Sequence, residues 1–233
     1  MKTRADAVVI GGGVVGAAIA YNLAKLGLKD TVVCEKHTFA SGSTGRCGAG
    51  VREQWGAEGN IRMCKAAIDI FETLQEELEY DYDIEFVQKG YLMLAYTEKE
   101  WEQFKANLKV QHRLGVNAVA LTPEEAREIV PSLNIEGLYG ATYNPRDGHA
   151  NPFHTTRAYL KAFERLGGEV YCFTEVTGIE QSNGKIQKVR TTRGDISTPV
   201  VVNAAGPWAA PVAAMLGIDL PVYTERHQIL VTE

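Results

Sequence analysis

Apolar and polar positions alternate along this chain in two rhythms, one of strands and one of helices. Ala7-Val8-Val9-Ile10 is an unbroken apolar run, and Thr31-Val32-Val33-Cys34 nearly repeats it. Such runs predict strands covered on both faces. Between them, Val14 to Leu26 carries a helical pattern that Gly27 closes, a common C-terminal stop. Residues 41–50 (SGSTGRCGAG) are too rich in glycine and serine for regular structure and predict a loop with unusual backbone freedom. From Asn60 to Tyr80 the apolar residues Ile61, Cys64, Ile68, Phe71, Leu74 and Leu78 recur at helical spacing. That predicts one amphipathic helix with an acidic outer end.

Residues 85–96 read as a strand with Gly90 inside it, and a polar helix follows from Glu98 to Leu114. Thr122-Pro123-Glu124-Glu125 supplies an N-cap, a proline at the first helical position and a capping-box glutamate, for a short helix running to Pro131. Past Pro152 a helix extends to Leu166 and stops at Gly167-Gly168. Three or four short strands are expected between Glu169 and Asn203, with Asn183-Gly184 as a type I′ hairpin turn. Pro207 to Leu216 reads as helical, and Val222 to Thr232 as a further strand on which the sequence stops. A strand with no following cap, turn or polar tail predicts a longer parent protein.

Composition narrows the classes. The 233 residues suffice for one sizeable core or two modest ones. A net charge of −5 gives no electrostatic reason to bind nucleic acid or an anionic membrane. No apolar run approaches the ~20 residues that span a bilayer, and nothing after Met1 resembles a signal peptide. The four cysteines, Cys34, Cys47, Cys64 and Cys172, lie far apart without a Cys-x-x-Cys pair. They argue against a zinc ribbon or a disulfide framework and fit a reducing, cytoplasmic location.

Gly11-x-Gly13-x-x-Gly16 stands between the first strand and its helix, the context this pattern needs. The first glycine permits the tight turn, the second lets the backbone approach a pyrophosphate, and the third lets helix and strand pack closely. The phosphates then lie at the helix N-terminus, where N–H groups and the dipole favour an anion. Glu35 ends the second strand, 24 positions after Gly11, and can accept hydrogen bonds from ribose hydroxyls. The plainer alternative is a glycine turn in an unrelated α/β protein, with Glu35 merely solvated. The motif itself does not separate FAD from NAD. A nicotinamide dehydrogenase would continue promptly with a third parallel strand, whereas here a Gly/Ser loop and a long helix follow.

The N-terminal unit, the loop SGSTGRCGAGVR, the stretch DGHANPFHTTRAYLKAFERLGGEVY and the segment NAAGPWA together resemble the D-amino-acid oxidase-type FAD-dependent oxidoreductases. The likeness is greatest to the branch of the sarcosine oxidase β-subunit, glycine oxidase and dye-linked proline dehydrogenase, and it covers essentially the whole chain. It implies an α/β (α+β overall) fold, a Rossmann-like FAD-binding domain with an inserted antiparallel-sheet substrate domain. Residues 1–84 and 149–217 would form the FAD-binding domain, 85–148 the first part of the substrate domain, and 218–233 the start of its second part. The family's C-terminal third, which completes the substrate sheet and adds a glycine-rich loop beneath the flavin, is missing from the sequence.

The resemblance also implies roles for particular residues. FAD would be held by Gly11, Gly12, Gly13, Val14, Val15 and Gly16 of the first turn and by Glu35 and Lys36 after the second strand. Gly42, Ser43, Thr44 and Gly45 would approach the diphosphate or ribityl chain, and Gly48, Gly50 and Val51 the isoalloxazine ring. Val176 matches the main-chain adenine contact. Ala205 and Gly206 would return to the cofactor, with Trp208 mainly packing the following helix. Arg52 stands where an arginine of the related sarcosine oxidases binds the substrate carboxylate, and its planar fork suits that task. A surface ion pair with Glu53 or Glu58 is its alternative. Arg46 would only hold the loop. His149, His154 and His227 lack metal-ligand spacing and read as structural, although His227, within the last strand of the expected substrate domain, is also open to a pocket role. A histidine for covalent flavin attachment is not matched near Asn151 and Pro152.

The function implied is oxidation of a small amine or amino/imino acid of the sarcosine, glycine, proline or D-amino-acid class, by hydride transfer to flavin N5. Partner subunits of a hetero-oligomeric oxidoreductase are compatible with it. A non-catalytic flavin-binding fragment or scaffold subunit is the alternative from another class, and an NAD-linked dehydrogenase a third.

Overall fold

The computed structural model describes residues 1–229. The chain divides into two compact units, one formed by residues 1–48, 75–84 and 151 onward, the other by 49–74 and 85–150.

The first unit is built on a parallel sheet of four strands in the order Val201–Asn203, Ala7–Ile10, Thr31–Cys34, Glu169–Tyr171. The two central strands are buried at every position, as their unbroken apolar runs demand. Successive side chains point to opposite faces. Val8, Ile10, Val32 and Cys34 form one core with Val176, Ile179, Val189 and Ile196 of a three-stranded antiparallel sheet. That sheet runs Val176–Ser182, Lys185–Thr191 and Gly194–Ser197, and its first hairpin turns at Asn183 and Gly184, both at positive φ as a type I′ turn requires. Helix Val14–Lys25 packs on its two neighbouring strands and on helix Pro152–Arg165. The latter begins with Asn151 accepting hydrogen bonds from the Phe153 and His154 backbone N–H groups.

Phe163, wholly buried on that helix, locks its end: a Cβ on Gly168 would fall 2.1 Å from the Phe163 ring. Phe163→Ala should therefore cost about 3–5 kcal/mol. A urea titration checks this, and an unchanged midpoint would mean the ring is not a core element.

The second unit contains the antiparallel sheet Tyr91–Ala95, Gly140–Asn144, Val119–Leu121, with Gly140–Asn144 central. Gly50–Val51 pairs with Gly148–His149. Helices Glu98–Arg113 and Pro123–Ile129 both open with complete capping boxes, at Thr97 and Thr122. The fold is thus mixed α/β, with one parallel sheet and separate antiparallel sheets, as expected.

Several local expectations need correction. The single helix over 60–80 is instead Glu58–Phe71 followed by a short turn of helix, Leu74–Glu77. At 3.6 residues per turn, Leu74 lies about 120° round from Ile68. A straight helix therefore cannot bury both on one stripe, yet both are buried. The division between units falls just after Leu74, within the second piece, and residues 49–74 cluster with the second unit. The strand over 85–96 shrinks to Tyr91–Ala95, because Glu85 and Gly90 adopt positive φ and Val87 makes only an isolated bridge to His149. Five strands, not three or four, lie between Glu169 and Asn203. The segment from Pro207 opens as a 3-10 turn, Gly206–Trp208, before helix Ala209–Ala214. Residues 222–229 form no strand, and His227 is exposed there. The remainder of the expected strand, 230–232, lies outside the described residues.

Candidate functional site

The turn after the first strand is tight because its glycines leave no room for side chains. Gly11 has φ +114°, and a Cβ there would meet the Ala204 carbonyl oxygen at 2.4 Å. A Cβ on Gly16 would fall 2.0 Å from the Gly11 carbonyl oxygen. Gly13 differs: a Cβ there would approach only the Thr44 Oγ1, at 3.1 Å. Space above Gly13 is therefore open, and it faces the start of helix Val14–Lys25, for which Gly13 is the N-cap without any side-chain cap. The Val14 N–H donates to Thr44 Oγ1 at 3.1 Å, which brings the Gly/Ser loop onto the helix end. That loop contains the 3-10 turn Ser43–Arg46.

Glu35 is fixed rather than merely solvated. Its Oε2 accepts from the Gly12 N–H at 2.8 Å and its Oε1 from the His37 N–H at 2.8 Å. Each oxygen retains a lone pair for a further donor. Next to it, the Lys36 ammonium lies 3.4 Å from the centre of the Trp208 ring, a cation–π contact.

These pieces surround one cleft of about 370 Å³, within the usual range for ligand pockets. Its lining includes Gly11, Gly13, Val15, Glu35, Lys36, Gly42, Ser43, Thr44, Val176, Ala205, Gly206 and Trp208. The apolar wall is made by Ile10, Cys34, Val212 and Met215. Burial pushes the Cys34 thiol up to about 12, so it stays neutral and serves as wall, not nucleophile. Arg46, expected only to hold the loop, also lines the cleft. Gly12, Val14 and Gly16 belong to the turn without lining the cleft, and so does Gly45 of the loop, where a Cβ would strike the Ala40 oxygen at 2.4 Å. Gly48 is likewise outside the lining.

Sequence reasoning missed Ile10, Cys34, His37, Ser41, Thr174, Glu175, Ala204 and the Pro211, Val212 and Met215 group. Ile10 and Cys34 were findable, because ligands of open α/β sheets gather at the carboxyl ends of strands. His37, Ser41 and Ala204 adjoin residues or lie in segments already singled out, whereas Thr174, Glu175, Pro211, Val212 and Met215 depend on packing that no local pattern announces.

Gly50, Val51 and Arg52 lie in the second unit. The Arg52 guanidinium sits 4.4 Å from the Trp55 ring centre and 5.3 Å from that of Tyr91. Its Nη1 faces Met93 Sδ at 3.9 Å, and its buried Nε has no hydrogen-bond partner. Neither expected ion pair forms. Glu58 pairs with Arg62 and Arg113, while Glu53 faces Arg146, and among the described residues no carboxylate pairs with Arg52. His149 is a strand residue opposite Gly50, and His154 Nδ1 hydrogen-bonds with the Tyr80 hydroxyl at 3.0 Å.

Residues 6–233 match the family described as FAD dependent oxidoreductase. The chain belongs to that family. It is 33% identical to sarcosine oxidase subunit beta of an Arthrobacter species, over its whole length and 58% of the relative's. It is also 33% identical to the mitochondrial dimethylglycine dehydrogenase of Rattus norvegicus, over 99% of this chain and 27% of that protein. The chain therefore spans between about a quarter and somewhat over half of these relatives. Among solved structures, L-proline dehydrogenase from P. horikoshii superposes with a TM-score of 0.86 at 41% identity, covering 94% of this chain and 57% of that one. Glycine oxidase from Geobacillus kaustophilus gives 0.86 at 31% identity, covering 95% and 60%. The family is FAD dependent, and the cleft fits that cofactor chemically. It offers open space over Gly13 at a helix N-terminus for phosphates, and an oriented carboxylate for ribose.

Proposed function

We propose that the protein is an FAD-dependent oxidoreductase that oxidises a small amine or an amino or imino acid. The observation that carries this reading is the convergence of the glycine turn, the pinned Glu35 and the 204–208 turn on one cleft. The names of its relatives, among them a sarcosine oxidase subunit, a glycine oxidase and an L-proline dehydrogenase, support the substrate class. The first unit would be the cofactor-binding domain and the second the substrate-binding domain.

In this account Gly11, Gly12, Gly13, Val14, Val15 and Gly16 present backbone to the pyrophosphate. Glu35 and Lys36 take the adenosine ribose end. Gly42, Ser43, Thr44 and Gly45 approach the rest of the diphosphate, and Val176, Ala205 and Gly206 complete the cleft. The resemblance assigns Gly48, Gly50 and Val51 to the ring, and Trp208, stacked on Lys36, lines the cleft. Bound FAD supplies the two-electron acceptor. Arg52 holds the substrate carboxylate, because its fork is framed by two rings and, among the described residues, is engaged in no ion pair. A substrate bound as the free amine needs no protein base, so no paired acid and base is required. The four free cysteines support a reducing, cytoplasmic location. The subunit status of the Arthrobacter relative supports partner subunits for this protein too.

Glu35→Gln tests the cofactor site. The amide keeps shape but loses charge, and its NH2 faces one of the two N–H donors that now hold the carboxylate. FAD affinity should fall about ten- to hundredfold, since hydrogen bonds to charged groups are worth roughly 1.5–3 kcal/mol. The dissociation constant measured by flavin fluorescence reads this directly, and no change would make Glu35 a structural strand end. A flavin-binding subunit without catalysis is the second reading. Anaerobic bleaching of the flavin by any member of an amine panel would exclude it.

A further inference from the structure

The segment that follows Arg52 is gripped by a carboxylate far away in sequence. Asp147 is fully buried in the turn after strand Gly140–Asn144. Its Oδ1 accepts from the Glu53 backbone N–H at 2.8 Å and from Asn144 Nδ2 at 2.8 Å. Its Oδ2 accepts from Gln54 Nε2 at 3.0 Å. The same Gln54 nitrogen donates to the Tyr91 carbonyl at 2.8 Å, and Trp55 Nε1 donates to the Arg52 carbonyl at 3.1 Å. The Trp55 ring and the Tyr91 main chain are thus tied to the stretch Asp147 holds.

The turn also settles where the neighbouring charges go. Glu53, the acid beside Arg52 in sequence, is buried and directed elsewhere: its Oε1 accepts from Asn144 Nδ2 at 3.1 Å, and its Oε2 lies 3.8 Å from Arg146 Nη1. Arg146 is anchored in turn by Glu72 at 2.7 Å and by Asp69. Burial pushes the Asp147 carboxyl up, while the donors from Glu53, Gln54 and Asn144 and the charge of Arg52 pull it down. A neutral asparagine could not replace it without presenting an N–H to one of the three donors. An apolar residue there would leave a backbone N–H and two side-chain amides without this acceptor.

We propose that Asp147 is a positioning residue: by fixing Glu53, Gln54 and, through Gln54, the Tyr91 main chain, it keeps the Arg52 guanidinium between its two rings and out of an ion pair with Glu53, so that the fork stays available to a substrate carboxylate. This rests on the reading of Arg52 given above.

The test uses the intact oxidised flavoprotein and two probes of one shape, propionate and propionamide, with dissociation constants from calorimetry. Wild type should prefer the carboxylate. Arg52→Lys should reduce that preference about ten- to hundredfold. Asp147→Asn should reduce it about tenfold, in the range of residues coupled through one network. The double variant should prefer the carboxylate no less than Arg52→Lys alone, because Asp147 acts only through Arg52. If Arg52→Lys lowers the preference and Asp147→Asn does not, Asp147 is structural and the proposal fails while the Arg52 reading stands. An additive double variant overturns it as well. If wild type shows no preference, or Arg52→Lys does not change it, both readings fall. Should Asp147→Asn not accumulate as folded protein, Gln54→Met removes only the bridge from Asp147 to Tyr91 and decides by the same measure: reduced preference supports the proposal, and unchanged preference overturns it.

Discussion

Valine at position 13 will abolish flavin binding and leave the fold standing. The backbone of Gly13 lies at φ −77° and ψ 175°, extended geometry open to any residue, so the substitution carries no backbone strain. Its Cβ meets only the hydroxyl of Thr44, at 3.1 Å, which can shift by a few tenths of an ångström at some cost to its hydrogen bond from the Val14 N–H. The stability cost should therefore stay within about 1 kcal/mol. The new methyl groups fill the space over the helix N-terminus that the pyrophosphate requires, so FAD affinity should fall more than about a hundredfold, or 2.7 kcal/mol. Gly16→Val should do the reverse. Its Cβ would meet the Gly11 carbonyl oxygen at 2.0 Å, a backbone atom that cannot move aside. Overpacking of that kind costs about 3 kcal/mol or more. Melting curves of the two flavin-free variants, set beside their FAD titrations, separate the roles. A Gly13→Val protein that keeps its flavin would displace the phosphates from this turn.

Arg52→Lys is the second large effect. Lysine keeps the charge but loses the planar fork, and it stacks less well between Trp55 and Tyr91. Anaerobic flavin reduction by an amino acid should slow, or need more substrate, by about ten- to hundredfold. Reduction by dithionite, which needs no carboxylate anchor, should hardly change. That contrast guards against a general loss of folding or flavin, which would damage both. Equal rates with amino acids in wild type and variant would return Arg52 to a structural role.

Much of the first unit was legible because its signals are local. The two central strands, the glycine turn between them, the Asn183-Gly184 hairpin and the Thr122 capping box each occupy a few consecutive residues. The Thr97 box carried the same signal, Glu100 three residues on, and went unread. What stayed hidden is what distant residues decide. Strand Gly140–Asn144 reads as a weak GATYN run, and only its two partners on either side make it the centre of a sheet. The helix break at residues 72–73 involves no glycine or proline, so no local signal announces it. The neighbours of Arg52 show the same limit. Sequence offered Glu53 and Glu58 as ion-pair partners, but Arg62, one helical turn from Glu58, and the distant Arg113 and Arg146 claim them.

The central claim, that this chain carries the FAD site of an oxidoreductase, is tested most directly by the absorbance spectrum of the intact purified protein and the identity of what acid releases from it. The account predicts oxidised flavin bands and FAD in the supernatant, lost together in Gly13→Val. A protein that purifies without flavin, fails to take up added FAD and binds NAD instead would contradict it.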